Sequence, residues 1–300
     1  MELCLGTVQF GMDYGINGKQ KPDLSTSLKC LDFATQNGIR AIDTATAYGT
    51  AEEIIGIFLR KKTVSRSNIY LSTKLTPNSL DDCTPEKYKE VIHDNLKKSL
   101  VTLGTDYVDA YLFHSARYAY NDAMIEALSS VVDEGLARNV GVSIYEPDEA
   151  MACLRNDKIS FIQAPYSIFD HRIKDAGVLE TISKKQCTLH TRSAFLQGLV
   201  LMAEGQIPHF LSKARPFVKR MDEICKALGI SRIELALAYV KRETAISNLV
   251  FGVHSLEQLI QDIRYFQNDT SMDILDYVDG VFSDVDAEIV IPSLWKKDKQ

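Results

Sequence analysis

No two cysteines are spaced C-x-x-C, none lies in a short cluster with histidine, and there is one tryptophan in 300 residues. The six cysteines (Cys4, Cys30, Cys83, Cys153, Cys187 and Cys225) are scattered along the chain. This pattern excludes a structural zinc site and predicts reduced thiols in the cytoplasm. No apolar run approaches the roughly 18 residues needed to span a bilayer. The start, Met1-Glu2-Leu3-Cys4-Leu5, lacks the basic segment and long apolar stretch of a secretory signal, so it is not expected to be a signal peptide. Positive charge is in deficit: 34 Lys+Arg against 40 Asp+Glu leave a formal net charge of −6. With its basic residues dispersed, such a chain is a poor binder of phosphate backbones, and neither nucleic acid nor membrane is expected as a partner. The common nucleotide fingerprints are missing too. There is no G-x-x-x-x-G-K-[ST], and Gly6-Thr7-Val8-Gln9-Phe10-Gly11 does not have G-x-G-x-x-G spacing.

What is present is an ordinary globular composition, 45% hydrophobic and 25% charged. Short β-branched or aromatic runs alternate with longer amphipathic stretches from end to end. Strands are predicted at residues 3–7, 40–43, 69–75, 107–113, 139–143, 161–164, 188–192 and 248–251. They are mostly continuous apolar runs, as expected of parallel strands covered on both faces. Between them the helices carry start signals. Thr84-Pro85-Glu86 offers an N-cap, a proline at the first helical position and an acid in the first turn, followed by Tyr88, Ile92, Leu96 and Leu100 at four-residue spacing. A second helix is predicted at 231–241. Eight strand–helix units fit either an open doubly wound sheet or a closed (β/α)8 TIM barrel. The missing dinucleotide fingerprint favours the barrel. No linker or composition break divides the chain, so residues 1–300 are read as a single domain with a short N-terminus. A C-terminal helical extension is expected over 272–287, ahead of Trp295, which either anchors the tail or contacts substrate.

Four polar residues fall at or just after three successive predicted strands: Asp43, Tyr48, Lys74 and His114. In a parallel barrel all four converge on the C-terminal mouth, where the fold places its chemistry. Taken singly, each has an ordinary structural explanation. A loop tyrosine packs with its hydroxyl in water, a strand-end histidine is satisfied locally, and an Asp and Lys on neighbouring strands pair to avoid burying a lone charge. Together they suit acid catalysis. A phenol has a reference pKa near 10, an adjacent cation favours its ionised form, and an Asp beside the lysine holds that cation in place. Tyr48 is thus a candidate general acid toward a carbonyl oxygen.

The stretches 38–49, 71–75 and 99–114, continued by Asn139-Val140-Gly141-Val142-Ser143, Gln163, Gly198-Leu199 and 252–259, resemble the aldo-keto reductase family over nearly the whole chain. The resemblance implies a barrel that binds a nicotinamide cofactor, NADP(H) or NAD(H), without a Rossmann motif. It also implies reduction of an aldehyde or ketone, with Tyr48, Asp43, Lys74 and His114 as the catalytic set. Ser143 and Gln163 match positions that hold the nicotinamide carboxamide, whereas Ile144 replaces a frequent family asparagine. Arg192 stands where many members stack an aromatic ring on the nicotinamide. It could stack, clamp an anionic substrate or the pyrophosphate, or pair with a surface acid. Near the adenine end lie Gly252, His254, Ser255, Gln258 and Asp262. Ser255-x-x-Gln258 reads as a capping box at a helix N-terminus, a natural phosphate site or simply a cap. Members preferring NADPH usually place Arg or Lys here, and this stretch has neither. Lys241 or Arg242, from the preceding helix, are the candidates to reach in. Asp262 replaces an asparagine that contacts adenine and adds a negative charge.

The expected activity is therefore NAD(P)H-dependent reduction of a small carbonyl compound, a sugar derivative among the candidates, in the cytoplasm. The alternative is a cofactor-binding regulatory barrel with little or no turnover. A metal-dependent hydrolase is disfavoured, because no His/Asp/Glu cluster recurs at strand ends with ligand spacing.

Overall fold

The computed structural model describes residues 1–295 with the exception of position 17. Eight parallel strands close in sequence order into one barrel: β1 (Glu2–Gly6), β2 (Ala41–Asp43), β3 (Tyr70–Lys74), β4 (Val108–Phe113), β5 (Ala137–Ser143), β6 (Phe161–Pro165), β7 (Thr188–Arg192) and β8 (Asn248–Gly252). The last strand pairs with the first in the register Leu3↔Leu249, Gly6↔Gly252. Strand identity follows the sequence reading, with ends displaced by a residue or two. The largest shift is at β5, whose ladder with β4 already begins at Val108↔Ala137.

Side-chain alternation sorts each strand into two environments. Leu3 and Leu5 join the main core between strands and helices, whereas Cys4 belongs to a separate cluster with Ala41, Val250 and Tyr70. A further cluster of Ala110, Leu112 and Phe161 also packs on Tyr70, so the barrel interior is filled by side chains rather than open. The aromatic series Tyr70, Phe161 and His190 runs through it, with ring centroids 6.2 and 4.5 Å apart.

The helices are α1 (Val8–Gly11), α2 (Leu24–Gln36), α3 (Ala51–Arg60), α4 (Tyr88–Leu103), α5 (Asp122–Asp133), α6 (Pro147–Cys153), α7 (Arg172–Asp175), α8 (Val178–Lys185), α9 (Arg215–Leu228), α10 (Arg232–Lys241), α11 (Leu256–Gln267), α12 (Met272–Val281) and α13 (Ala287–Val290). In α4 the stripe Tyr88, Ile92, Leu96 and Leu100 is buried, as its spacing predicts. Its start differs from expectation. A 3-10 turn over Pro85–Lys87 precedes the helix, and Thr84 makes no side-chain cap. In α10, by contrast, Ser231 accepts from Glu234 N at 3.1 Å. The C-terminal region is helical in two pieces, α12 and α13, rather than one. Trp295 is buried in the main core cluster, its ring 6.4 Å from that of Phe210, and it donates Nε1–H to Ile289 O of α13 at 3.1 Å, so it packs the tail in place.

Candidate active site

Asp43 ends β2 and Lys74 ends β3, while Tyr48 and His114 lie in the loops after β2 and β4. Parallel strands put all four at one end of the barrel. The Tyr48 loop is seated against α1 by two glycines. A Cβ on Gly11 would come within 1.6 Å of Tyr48 O, and Gly49 occupies the left-handed region at φ +54°. Thr50 N donates to Gly11 O at 3.3 Å and closes the contact.

Lys74 is fully buried. Its Nζ donates to Asp43 Oδ1 and Oδ2 at 2.9 and 2.8 Å and to Thr44 O at 2.8 Å. Asp43 Oδ1 also accepts from Ser72 Oγ at 3.0 Å and Gln163 Nε2 at 2.8 Å. The pair is thus compensated on both sides, the condition under which two charges can be buried together. Burial alone would lower the ammonium pKa, but Asp43 and Tyr48 beside it hold it above the usual lysine value.

Lys74 Nζ lies 5.0 Å from the centroid of the Tyr48 ring. That ring meets His114 edge to face at 5.7 Å. The phenol does not follow the downward shift that a neighbouring cation suggests. Burial raises its pKa more than Lys74 lowers it, so Tyr48 rests protonated. Burial, with Lys74 and Arg192 adding to it, pushes His114 down to about 3, so the ring is neutral. Its Nδ1 is buried without a hydrogen-bond partner among the described residues.

These groups border a cleft of about 670 Å³, within the ~300–1,000 Å³ of small-molecule sites. Asp43, Tyr48, His114, Ser143, Arg192, Gly252, His254, Gln258 and Asp262 face it, whereas Lys74, Gln163 and Ser255 lie behind its wall. Gln163 spends its N–H on Asp43, and its Oε1 accepts from Ser143 Oγ at 3.5 Å. Among the described residues Arg192 pairs with no acid. It stacks on the Tyr145 ring at 4.4 Å and donates to Ile144 O at 2.9 Å and Ser193 Oγ at 3.3 Å.

On the β8 side the expected capping box is offset. Ser255 Oγ accepts from Gln258 N at 3.3 Å, but Gln258 Oε1 reaches past it to His254 N at 2.7 Å. Lys241 and Arg242 do not reach in. Lys241 is held by Asp269 at 2.8 Å, and Arg242 by Asp276 and Leu275 O, each at 2.8 Å. Asp262 is buried with no hydrogen bond among the described residues, and burial pushes its pKa up to about 7. Its expected full negative charge is therefore partly neutralised near pH 7.

Among the cleft residues that carry no signal in the sequence are Gln9 in α1, Tyr14 and Lys19 in the loop that follows it, and Tyr145 after β5. The first loop is held in place by Tyr14 N donating to Lys19 O and Ile16 N to Gln197 O, both at 3.2 Å. Nothing in Asp13-Tyr14-Gly15-Ile16 distinguishes it from a solvated turn.

The model of the Aldo/keto reductase family matches residues 2–282. The chain is 29% identical over 256 residues to the uncharacterized oxidoreductase YqkF of Bacillus subtilis (strain 168), covering 79% of this chain and 81% of that one. It is 26% identical over 267 residues to L-glyceraldehyde 3-phosphate reductase of Escherichia coli (strain K12), covering 77% and 76%. Its fold is similar to that of the aldo-keto reductase AKR11C1 from Bacillus halodurans in its holo form, with a TM-score of 0.77, 22% identity, and 98% and 95% of the two chains covered. With the barrel, the cleft and a family match spanning residues 2–282, the chain belongs to the Aldo/keto reductase family of oxidoreductases.

Proposed function

We propose that the protein reduces a small aldehyde or ketone to the alcohol using a bound nicotinamide dinucleotide, with Tyr48 as the proton donor. The observation that carries this reading is the convergence of Tyr48, His114 and the Lys74–Asp43 pair on one wall of the cleft. Orphaned polar groups along the same cleft, Gln9 Oε1 and His254 Nε2, fit an extended polar cofactor with hydroxyls and amides to offer. When bound, the reduced nicotinamide supplies the hydride.

The protein's own residues manage the charge that develops on the carbonyl oxygen. Tyr48 rests protonated because it is buried, so it has a proton to give. Lys74, kept cationic by Asp43, stabilises the phenolate as the proton leaves. His114 stays neutral and bears one ring N–H, which suits orienting a carbonyl without competing as an acid. Ser143 and Arg192 face the same region and are assigned to the nicotinamide end. Gly252, His254, Gln258 and Asp262 face the cleft beside β8 and are assigned to the adenosine end, with Ser255 behind them as the cap of α11.

Tyr14, Tyr145 and Arg192 at the cleft surface suit a small hydroxylated carbonyl compound, as does the name of the Escherichia coli relative. The test is a carbonyl panel run with NADH and NADPH on the wild type and Tyr48→Phe. The variant keeps the ring and should bind dinucleotide normally while turnover falls by about 10²-fold or more. Dinucleotide binding with no turnover across the panel would instead favour a regulatory barrel.

A further inference from the structure

Arg192 closes β7 and is tied there by neutral groups only. Its ladder partner is Pro165, and its carbonyl accepts from Tyr166 N at 3.1 Å. The half-buried guanidinium lies 4.4 Å over the Tyr145 ring and donates to Ile144 O at 2.9 Å and Ser193 Oγ at 3.3 Å. No carboxylate comes within ion-pair distance of it among the described residues. A fixed, uncompensated cation therefore lines the cleft on the wall that also carries Tyr48 and His114.

The neighbouring titratable groups add no net charge to this end of the cleft. Asp43 is cancelled by Lys74 at 2.8 Å. Burial keeps His114 neutral, with a pKa of about 3, and leaves Tyr48 and Tyr14 protonated, the latter pushed up to about 12. A carbonyl oxygen protonated by Tyr48 lies within about 3 Å of that hydroxyl, and the ring that gives the hydride must touch the carbonyl carbon. Whatever its tilt, that ring lies beside Tyr48. It is then within range of the Arg192 charge, which acts on both Tyr48 and His114. A dihydronicotinamide ring is neutral, whereas the oxidised ring carries one positive charge. A fixed cation nearby favours the first over the second.

Building on the dinucleotide reading above, we propose that Arg192 discriminates between the redox forms of the cofactor, holding the reduced dinucleotide in preference to the oxidised one. Repulsion from its guanidinium then helps the spent cofactor to leave once the hydride has been delivered. The phosphates and riboses are common to both forms, so any contact Arg192 makes with them cancels in the ratio of the two affinities. Only a charge near the nicotinamide moves that ratio.

The test is calorimetric titration of the full chain with NADPH, NADP⁺, NADH and NAD⁺, without carbonyl substrate, in wild type, Arg192→Met and Arg192→Lys. Arg192→Met should lower the ratio of oxidised to reduced Kd by about tenfold, the scale of two like charges several Å apart in a partly exposed site. Arg192→Lys keeps the charge and should keep most of the ratio. In the wild type the ratio should also shrink between about 50 and about 500 mM salt, and in Arg192→Met it should not. If Arg192→Met weakens both forms equally and leaves the ratio where it was, the proposal is overturned and the function above stands. A ratio that depends on salt to the same degree in wild type and Arg192→Met places the discriminating charge elsewhere and overturns it too. A wild type that binds no dinucleotide in either form overturns the function above and this proposal with it.

Discussion

Gln163 on β6 donates its side-chain N–H to Asp43 Oδ1 on β2 at 2.8 Å, joining strands that are not neighbours in the barrel. The bond crosses the barrel interior and adds a donor to the Asp43 Oδ1 that Lys74 and Ser72 also hold. Gln163 therefore holds the charge pair in place, and its Oε1 is turned to Ser143.

Replacing Gln163 by Leu removes a hydrogen bond to a charged acceptor while nearly keeping the side-chain volume. The expected loss is about 1.5–3 kcal/mol of stability, the usual contribution of such a bond. Denaturant unfolding of the two proteins measures it directly. Equal midpoints and slopes would mean that Ser72 and Lys74 alone hold Asp43.

Lys74→Met leaves Asp43 buried without its cation, at a cost of about 3–5 kcal/mol. Adding Asp43→Asn removes the stranded charge, so the double variant should recover part of that stability while remaining inactive. A double-mutant cycle in urea separates the outcomes. A single variant as stable as wild type would mean that the pair does not form as described.

The barrel was legible because parallel strands covered on both faces read as short apolar runs, and eight of them recur between helical stripes such as Tyr88, Ile92, Leu96 and Leu100. The positions of Asp43, Tyr48, Lys74 and His114 at one mouth followed from strand ends alone. Their electrostatics did not. The sequence puts a cation beside Tyr48 but not the burial that outweighs it, nor the burial that neutralises Asp262. The reach of Lys241 and Arg242 was also misjudged, because their partners Asp269 and Asp276 lie in the C-terminal segment that folds back onto α10. Lys19 was invisible for the opposite reason. A polar loop carries no periodicity, and only its bridge to Tyr14 sets the lysine over the cleft.

Burial sets the acid sensitivity of the fold. It depresses His114 to about 3 and His190 to about 4, against about 6.5 in the unfolded chain. Between those values the unfolded chain binds protons that the folded one refuses, so stability falls as pH drops below about 6.5. Each ring adds up to about 1.4 kcal/mol per pH unit until its folded pKa is reached. Urea midpoints at pH 7.5, 6.0 and 5.0 should decline in wild type and decline less in His114→Gln. Ring-proton resonances of His114 that titrate near pH 6.5 in the folded protein would contradict its neutral state.

Asp262 carries the opposite sign. Burial raises its pKa from 3.8 to about 7, so the folded protein holds a proton that the unfolded chain has released across that interval. Stability should therefore drop as pH rises from about 4 to about 7 on this account, and level off above it. At 1.36 kcal/mol per unit the penalty at alkaline pH is at most about 4 kcal/mol. Asp262→Asn keeps the shape and cannot ionise, so it should match wild type near pH 4 and exceed it by a growing margin up to pH 8. Denaturant unfolding of the variant and wild type at pH 5 and pH 8 reads this titration. A stability difference between the variant and wild type that is the same at pH 5 and pH 8 would show that Asp262 ionises with an ordinary carboxylate pKa.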